Sequence, residues 1–448
     1  MFIFLFLQKN YKYGKMILDF SIQNFNSVKE KQTLSFIADR STHLEDYYII
    51  SVGKYRILKL NLLYGANASG KTNILKALDF LRDLIIDPAE KKTDIIDFEP
   101  FLLDSNSPQE NSYLCINFLQ DKIRYFYEVT FNQKCIISEG LYYYPQKVNV
   151  FRRTTDIEKQ LAKITFNTSL NVDTVVVKTL ESNTLWNNTV LGGALKTNID
   201  QQQVKNATDW FTNYLMPVIT PRTELDNYIK RKIRNSDVNK NLLIEILRKA
   251  DFDISDILLK EEEHNIPEGF LEFLEKSEDV SKEKIKELKN AGKLKSVNIR
   301  LEHTVEGKKY NNIPLELESL GTQRYFGLGG ILITLIKKAG CIPIDELEAS
   351  LHPDLFIHFI LSFLVNSKQS QLIATTHNRE ILNNREIFRN DAIWFTNKSK
   401  TSTTELYSLS DFDSSLIRDT RNILNAYKVG KFGAIPNLGD YYIDDEKE

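Results

Sequence analysis

Gly65-Ala66-Asn67-Ala68-Ser69-Gly70-Lys71-Thr72 is a complete G-x-x-x-x-G-K-[ST] loop. Leu60-Asn61-Leu62-Leu63-Tyr64 before it reads as a buried strand. Thr72-Asn73-Ile74-Leu75-Lys76-Ala77-Leu78 after it opens a helix with apolar residues at helical spacing. In that order of strand, loop and helix, backbone N–H groups converge on phosphate oxygens and the helix N-terminus adds partial positive charge. The expected phosphate-binding set is Gly65, Asn67, Ala68, Ser69, Gly70, Lys71, Thr72 and Asn73. Lys71 would reach the β- and γ-phosphates, and Thr72 would place its hydroxyl on Mg²⁺.

Far downstream, Gly340-Cys341-Ile342-Pro343-Ile344-Asp345-Glu346 is a short apolar strand ending in two carboxylates. That suits a Walker B element, in which Asp345 orients Mg²⁺ and Glu346 polarises the attacking water. Pro343 removes one ladder donor from what is expected to be a central strand, and is read as a local irregularity. Ser370-Gln371-Leu372-Ile373-Ala374-Thr375-Thr376-His377 is another apolar strand, with His377 at its end as the expected γ-phosphate sensor. Before the Walker B strand, Leu317-Glu318-Ser319-Leu320-Gly321 leads into an apolar helix expected over Tyr325 to Ile336. A Ser-x-Gly at a helix start is a further anion-binding N-terminus.

Phosphate loop, long insertion, Ser-x-Gly, Asp-Glu strand and His strand, in that order, resemble the ABC class of ATPases. The resemblance implies two heads that sandwich two ATP molecules, with Lys71, Asp345, Glu346 and His377 acting in cis. It implies that Ser319 and Gly321 reach the partner head's ATP in trans, and that Ser350 to Pro353 form the dimer-contact loop. Leu320 departs from the pattern, since a Gly is usual there.

Asp345-Glu346-Leu347-Glu348-x-x-Leu351-His352-Pro353 is similar to the D-E-x-E-x-x-L-H-P form of stand-alone bacterial ATPases. These include the overcoming-lysogenisation-defect relatives and the abortive-infection ATPases. Ile17 to Ser27 resembles the first strand of that group and of RecF. Asp391 to Thr396, Thr404 to Leu409 and Gly430 to Pro436 resemble the C-terminal motifs of AbiL and RloA type phage-defence ATPases.

The fold class expected is α/β, an ABC-type P-loop ATPase head (a mixed sheet plus an antiparallel meander) with an inserted, mostly helical lobe. The expected division is an N-terminal extension over 1–15, half of the head over 16–150, the lobe over 151–295 and the other half over 296–448. Residues 113–145 alternate apolar and polar with many Tyr and Phe, as a meander does, and the aromatics read as sheet packing rather than a base-stacking platform. Glu272 to Asn290 reads as a solvated Lys/Glu-rich helix or hairpin, too short for the coiled-coil arm of an SMC protein. Tyr228 to Arg234 is the best basic cluster. His352 and His358 are six positions apart and read as structural, with no zinc.

At 448 residues, 42% hydrophobic and 26% charged, the chain has an ordinary globular composition, and its net charge of −2 does not demand nucleic acid. Cys115, Cys135 and Cys341 are widely separated, as suits a reducing cytoplasm. The apolar run Phe2 to Leu7 stops at Gln8, too short to span a bilayer, so no membrane association is expected.

The expected activity is ATP hydrolysis with Mg²⁺ by a cytoplasmic homodimer. The expected role, by resemblance, is control of a separate effector (a nuclease or toxin) in anti-phage defence. About 70 residues follow His377, too few for a built-in metal-dependent nuclease domain. The alternatives are a RecF-like DNA-repair ATPase that clamps DNA, with nucleic acid as partner, and a nucleotide-gated scaffold without significant turnover.

Overall fold

The computed structural model describes residues 14–236, 238–267, 269–276, 282–412 and 423–436. Most of the expected N-terminal extension and the acidic end therefore lie outside the described residues. In chain order the strands are β1 (Met16–Gln23), β2 (Gln32–Ser35), β3 (Ile49–Val52), β4 (Tyr55–Leu58), β5 (Leu60–Gly65), β6 (Ser112–Gln120), β7 (Ile123–Phe131), β8 (Ile136–Tyr143) and β9 (Val148–Asp156). They continue with β10 (Leu161–Phe166), β11 (Ile254–Asn265), β12 (Lys293–Val305), β13 (Lys308–Pro314), β14 (Cys341–Ile344), β15 (Gln371–Thr375), β16 (Ile393–Lys398) and β17 (Thr404–Ser408).

The chain clusters into two compact units. One takes the described residues up to Arg222, then Leu335–Glu348, then those from Ile360 on; the other takes Thr223–Thr334 and Ala349–Phe359.

The first unit holds three sheets, the smallest being the antiparallel pair β3-β4. A mixed five-stranded sheet runs β14-β15-β5-β16-β17, with β14, β15, β5 and β16 parallel and β17 antiparallel. Its middle strand, Leu60–Gly65, is buried at every residue, as the continuous apolar run requires of a strand covered on both faces. The Walker B strand β14 is an edge strand in this order, not a central one. That is why Pro343 is tolerated: the backbone of Tyr214 to Ile219 runs beside β14 through irregular bonds, and it uses the carbonyl of Pro343 as an acceptor for Ile219 N–H at 2.9 Å.

The second sheet is antiparallel with seven strands in the order β10-β9-β8-β7-β6-β1-β2. Its covered face meets the helix Gln202–Asn213: the Phe118 ring stacks on Trp210 at 4.4 Å and on Tyr125 at 5.3 Å, and Trp210 is fully buried. A second aromatic cluster joins Phe25, Phe80, Phe98 and Phe131, fixing the helix Lys71–Ile86 to the sheet through Phe80. Each such buried ring contributes on the order of 3 kcal/mol.

A polar network is built into the same sheet. Arg153, 1% exposed, donates to the carbonyls of Ile136 at 2.7 Å and Trp186 at 2.9 Å. Glu139, also buried, accepts from Val190 N–H at 2.6 Å and from the Tyr127 hydroxyl at 2.9 Å. Burial pushes the Glu139 carboxyl up to about 6 against the pull of Arg153.

The second unit contains the antiparallel sheet β11-β12-β13 and the helices Leu225–Arg234 and Lys240–Lys249. The helix Leu320–Lys337 enters this unit with glycines at its contact face. A Cβ on Gly330 would lie 2.1 Å from Ile229 Cδ1, so the Ile229 side chain packs directly against the helix backbone there.

The segment 151–295 is thus more strand-rich than its sequence suggests. Phe151 to Phe166 lies in β9 and β10 of the seven-stranded sheet, and β11 and the start of β12 follow later. The Lys/Glu-rich stretch expected as a helix or hairpin holds two helices, Phe270–Lys276 and Lys282–Ala291; residues 277–281 between them lie outside the described residues.

Candidate nucleotide site

β5 ends at Gly65, and the loop that follows returns at Gly70 into the helix Lys71–Ile86. Two loop residues adopt left-handed backbone, Ala68 at φ +60° and Gly70 at φ +101°. A Cβ on Gly70 would lie 2.0 Å from Thr404 Oγ1, so the position is closed to side chains. The ammonium of Lys71 folds back over the loop and donates to the carbonyls of Gly65 at 2.9 Å and Ala66 at 3.1 Å. Lys71 is 6% exposed. Its burial lowers the amine's pKa, opposed by the charges of Asp345, Glu346 and Glu348.

Asp345 comes from the end of β14, two strands over from β5, because β14 and β5 flank β15. The Thr72 hydroxyl lies 3.1 and 3.0 Å from the two Asp345 carboxylate oxygens. Thr375, at the end of β15, donates its hydroxyl to Asp345 Oδ1 at 2.6 Å and accepts from Glu346 N–H at 2.7 Å. A threonine hydroxyl facing both oxygens of a buried carboxylate is a hard, all-oxygen donor pair, which fits Mg²⁺. Thr72 and Asp345 are the residues that would hold it.

Glu346 follows with left-handed backbone at φ +46° and is exposed. His377 is exposed as well; its backbone N–H donates to Glu348 Oε1. Partial burial and the nearby charge of Lys71 lower the His377 imidazole's pKa. The structure therefore gathers Lys71, Thr72, Asp345, Glu346 and His377 at the same ends of neighbouring strands of one sheet.

Ser319 and Gly321 belong to the other unit. The helix starts at Leu320, five residues earlier than the apolar pattern suggests, because Ser319 caps it: Ser319 Oγ accepts from Thr322 N–H at 3.1 Å. A Cβ on Gly321 would lie 2.9 Å from the Ser350 carbonyl oxygen, so the Ser-x-Gly turn sits against the Ser350–Pro353 turn. Leu317 and Leu320 flank Ser319 and are 75% and 71% exposed. His358 Nδ1 meets the Tyr325 hydroxyl, and His352 lies 3.4 Å from Asp354.

Sequence analysis assigned no role to Ser27, Thr396 and Thr404, which brace the loop through Ser69 and Asn73. Asn73 Nδ2 donates to Ser27 Oγ at 2.7 Å, Ser27 Oγ is 2.7 Å from Thr404 Oγ1, and Thr404 donates to the Ser69 carbonyl at 3.0 Å. Ser69 Oγ is 2.6 Å from Thr396 Oγ1. This chain of hydroxyls ties the loop to the first strand's turn and to β16 and β17. Only the family-like stretches around Ser27, Thr396 and Thr404 could have pointed to them.

Residues 16–382 match the AAA ATPase domain family. The chain belongs to that family. Comparison with curated proteins gives no match. Among solved structures, an Smc head bound to the C-winged helix domain of ScpA is similar at 13% identity, covering 90% of this chain and 99% of that one, with a TM-score of 0.42. The SMC head domain from Thermotoga maritima is similar at 13% identity, over 88% and 98% of the two chains, with a TM-score of 0.37. An Smc head with an extended coiled coil, bound to the C-terminal domain of ScpA from Pyrococcus furiosus, gives 12%, 91%, 100% and 0.39. As an AAA ATPase domain, the chain is a nucleotide-binding protein of the P-loop class. Among its described residues no helix is long and apolar enough to cross a membrane.

Proposed function

We propose that the chain is an Mg²⁺-dependent ATPase whose heads pair around ATP, and that this cycle controls a separate effector in anti-phage defence. The observation that carries the ATPase reading is the contact of Thr72 with both oxygens of Asp345. It joins two motifs 273 positions apart at the mouth of a braced phosphate loop. When bound there, Mg²⁺ would neutralise charge on the β- and γ-phosphates.

The chain's own groups then divide the work. Lys71 leaves the Gly65 and Ala66 carbonyls for the phosphates, and the loop N–H groups cradle them. Asp345 and Thr72 hold the metal site, with Thr375 fixing the carboxylate. Glu346, the one exposed carboxylate of the pair, accepts charge from the attacking water, and His377 faces the γ-phosphate. Pairing of heads would use the turn bearing Ser319 and Gly321 beside the Ser350–Pro353 turn, as an isologous contact. The exposed Leu317 and Leu320 suit a surface that is covered when ATP is bound.

The effector and defence reading rests on the resemblance of Asp345 to Pro353 to abortive-infection ATPases. Lys71→Ala tests both levels. The purified variant should fold, as its circular dichroism would report, and lose tight ATP binding. A host strain carrying it beside its neighbouring genes should lose protection against phage that the unaltered chain confers. Unchanged ATP affinity would remove the site assignment; lost affinity with full protection would remove the defence role.

A further inference from the structure

In the seven-stranded sheet, β6 is buried on both faces, whereas β7, β9 and β10 have one covered and one more open face. In β7, Tyr125, Tyr127, Val129 and Phe131 are buried, whereas Arg124, Phe126, Glu128 and Thr130 are partly exposed. The same alternation turns Arg152 of β9 and Lys163 of β10 to solvent. Register puts the outward residues on one face: Phe126 opposes Tyr142, Glu128 opposes Gly140, Gly140 opposes Arg152, and Lys163 opposes Thr154.

This face is basic and aromatic. The Arg124 guanidinium lies 4.2 Å from the centre of the Tyr144 ring. Lys147 is 5.8 Å from the Phe126 ring and 5.3 Å from Tyr142, and Arg152 is 5.9 Å from Tyr142. The Tyr142 ring lies flat across the sheet because its neighbour is Gly140, where a Cβ would come within 3.0 Å of the ring. Among the described residues Arg124, Lys147, Arg152 and Lys163 form no ion pair. Two carboxylates lie on the same face of these strands: Glu128, engaged by the hydroxyls of Tyr113 at 2.9 Å and Tyr142 at 3.2 Å, and the exposed Asp156, paired with Lys159 at 3.5 Å. By contrast, the basic helix singled out by sequence is largely neutralised: Lys230 pairs with Asp226 at 3.1 Å and Arg234 with Glu261 at 4.0 Å.

We propose that the open face of β7 to β10 binds single-stranded nucleic acid, with Arg124, Lys147, Arg152 and Lys163 on phosphates and bases against the Arg124–Tyr144 stack and Phe126. The cations run across the face from β7, through the turn between β8 and β9, to β9 and β10, as a backbone-tracking band does. A flat guanidinium on a ring offers the π surface that unpaired bases use and that acidic side chains do not. The proposal stands apart from ATP turnover, since none of these residues touches the nucleotide site.

The test is fluorescence anisotropy of the full chain, without ATP, on a fluorescein-labelled single-stranded DNA of about 20 nucleotides. Four phosphate contacts predict a log–log salt slope of about −3, so affinity should fall about 50-fold between about 50 and about 200 mM salt. Changing all four cations to Gln should cost at least about tenfold in affinity and flatten the slope. Lys147→Gln with Lys163→Gln, both exposed and without hydrogen bonds, keeps the fold within reach and should reduce the slope by about 1.4. Lys230→Gln with Arg234→Gln should change nothing. Absence of binding at low salt, or affinity and slope unchanged in the Lys147/Lys163 pair, would overturn the proposal. So would polyglutamate competing as well as DNA, which would make the face a dock for an acidic protein, or tighter binding of the matching duplex.

Discussion

The backbone N–H of His377 donates to the carboxylate of Glu348, so the residue at the end of β15 is held by a side chain from the turn after Asp345 and Glu346. The second Glu348 oxygen is buried without a hydrogen-bond partner. It sits in the field of the fully buried Tyr64, whose hydroxyl also lacks one and whose pKa is raised by burial first and by Glu348 next. Glu348 is a positioning residue in this arrangement: it holds the backbone from which the His377 imidazole projects.

Glu348→Ala should therefore lower kcat for ATP by on the order of a hundredfold while leaving KM nearly unchanged, because it shifts His377, the group proposed to face the reacting phosphate. Glu348→Gln keeps an oxygen to accept the His377 N–H and should restore most of the rate. Steady-state kinetics of the two variants decide it. Equal loss in both would assign the effect to charge rather than to position.

Ser319→Arg should leave ATP binding by isolated heads intact and reduce both hydrolysis and ATP-dependent dimerisation by at least about tenfold, since a bulky cation at the cap occupies the turn proposed to meet the partner's γ-phosphate. Nucleotide titration, turnover and light scattering on the same preparation separate the steps. Normal turnover with ATP-dependent dimers would place the contact elsewhere.

Glu139 gives a stability signature of unusual sign. Its folded carboxyl titrates at about 6, above the ordinary value of 4.5. Between those values the folded chain holds more protons than the unfolded chain. The group's stabilising contribution is thus fully present below about pH 4.5 and is lost as pH rises through about 6, a difference of about 2 kcal/mol. Glu139→Gln removes the titration. The unaltered chain should gain on this variant by about 2 kcal/mol when urea unfolding is compared at about pH 4.5 and pH 7. A gap that stays constant, or narrows at the lower pH, would contradict the raised carboxyl.

The elements written in contiguous residues were legible in the sequence. Gly65 to Thr72 specifies its own loop, and Leu60–Gly65 and Gln371–Thr375 announce buried parallel strands by their unbroken apolar runs. What tertiary structure alone assembles was not legible. Thr375, Ser27 and Thr404 are ordinary hydroxyl residues until β15, the first turn and β17 carry them to Asp345 and the loop. The strands Val148–Asp156 and Leu161–Phe166 were hidden within an expected helical insertion, since their outward positions are charged or polar and only alternate residues are buried. Ile254–Asn265 and the start of Lys293–Val305 fall within the same expected helical insertion, yet cross-strand pairs such as Arg300 with Glu262, 2.9 Å apart, join them as a sheet. Pro343 reads in the sequence as a local irregularity of an expected central strand, whereas β14 is at the edge, where a missing ladder donor is tolerated.

The central claim is that Glu346 activates water on an ATP held by Lys71, Thr72 and Asp345. The most direct measurement is ATP turnover and ATP affinity of Glu346→Gln beside the unaltered chain, both with Mg²⁺. The amide keeps the size of the side chain but cannot take charge from the water. ATP affinity should be retained, and turnover should fall by about 100- to 10,000-fold. Turnover by Glu346→Gln equal to that of the unaltered chain would contradict the account.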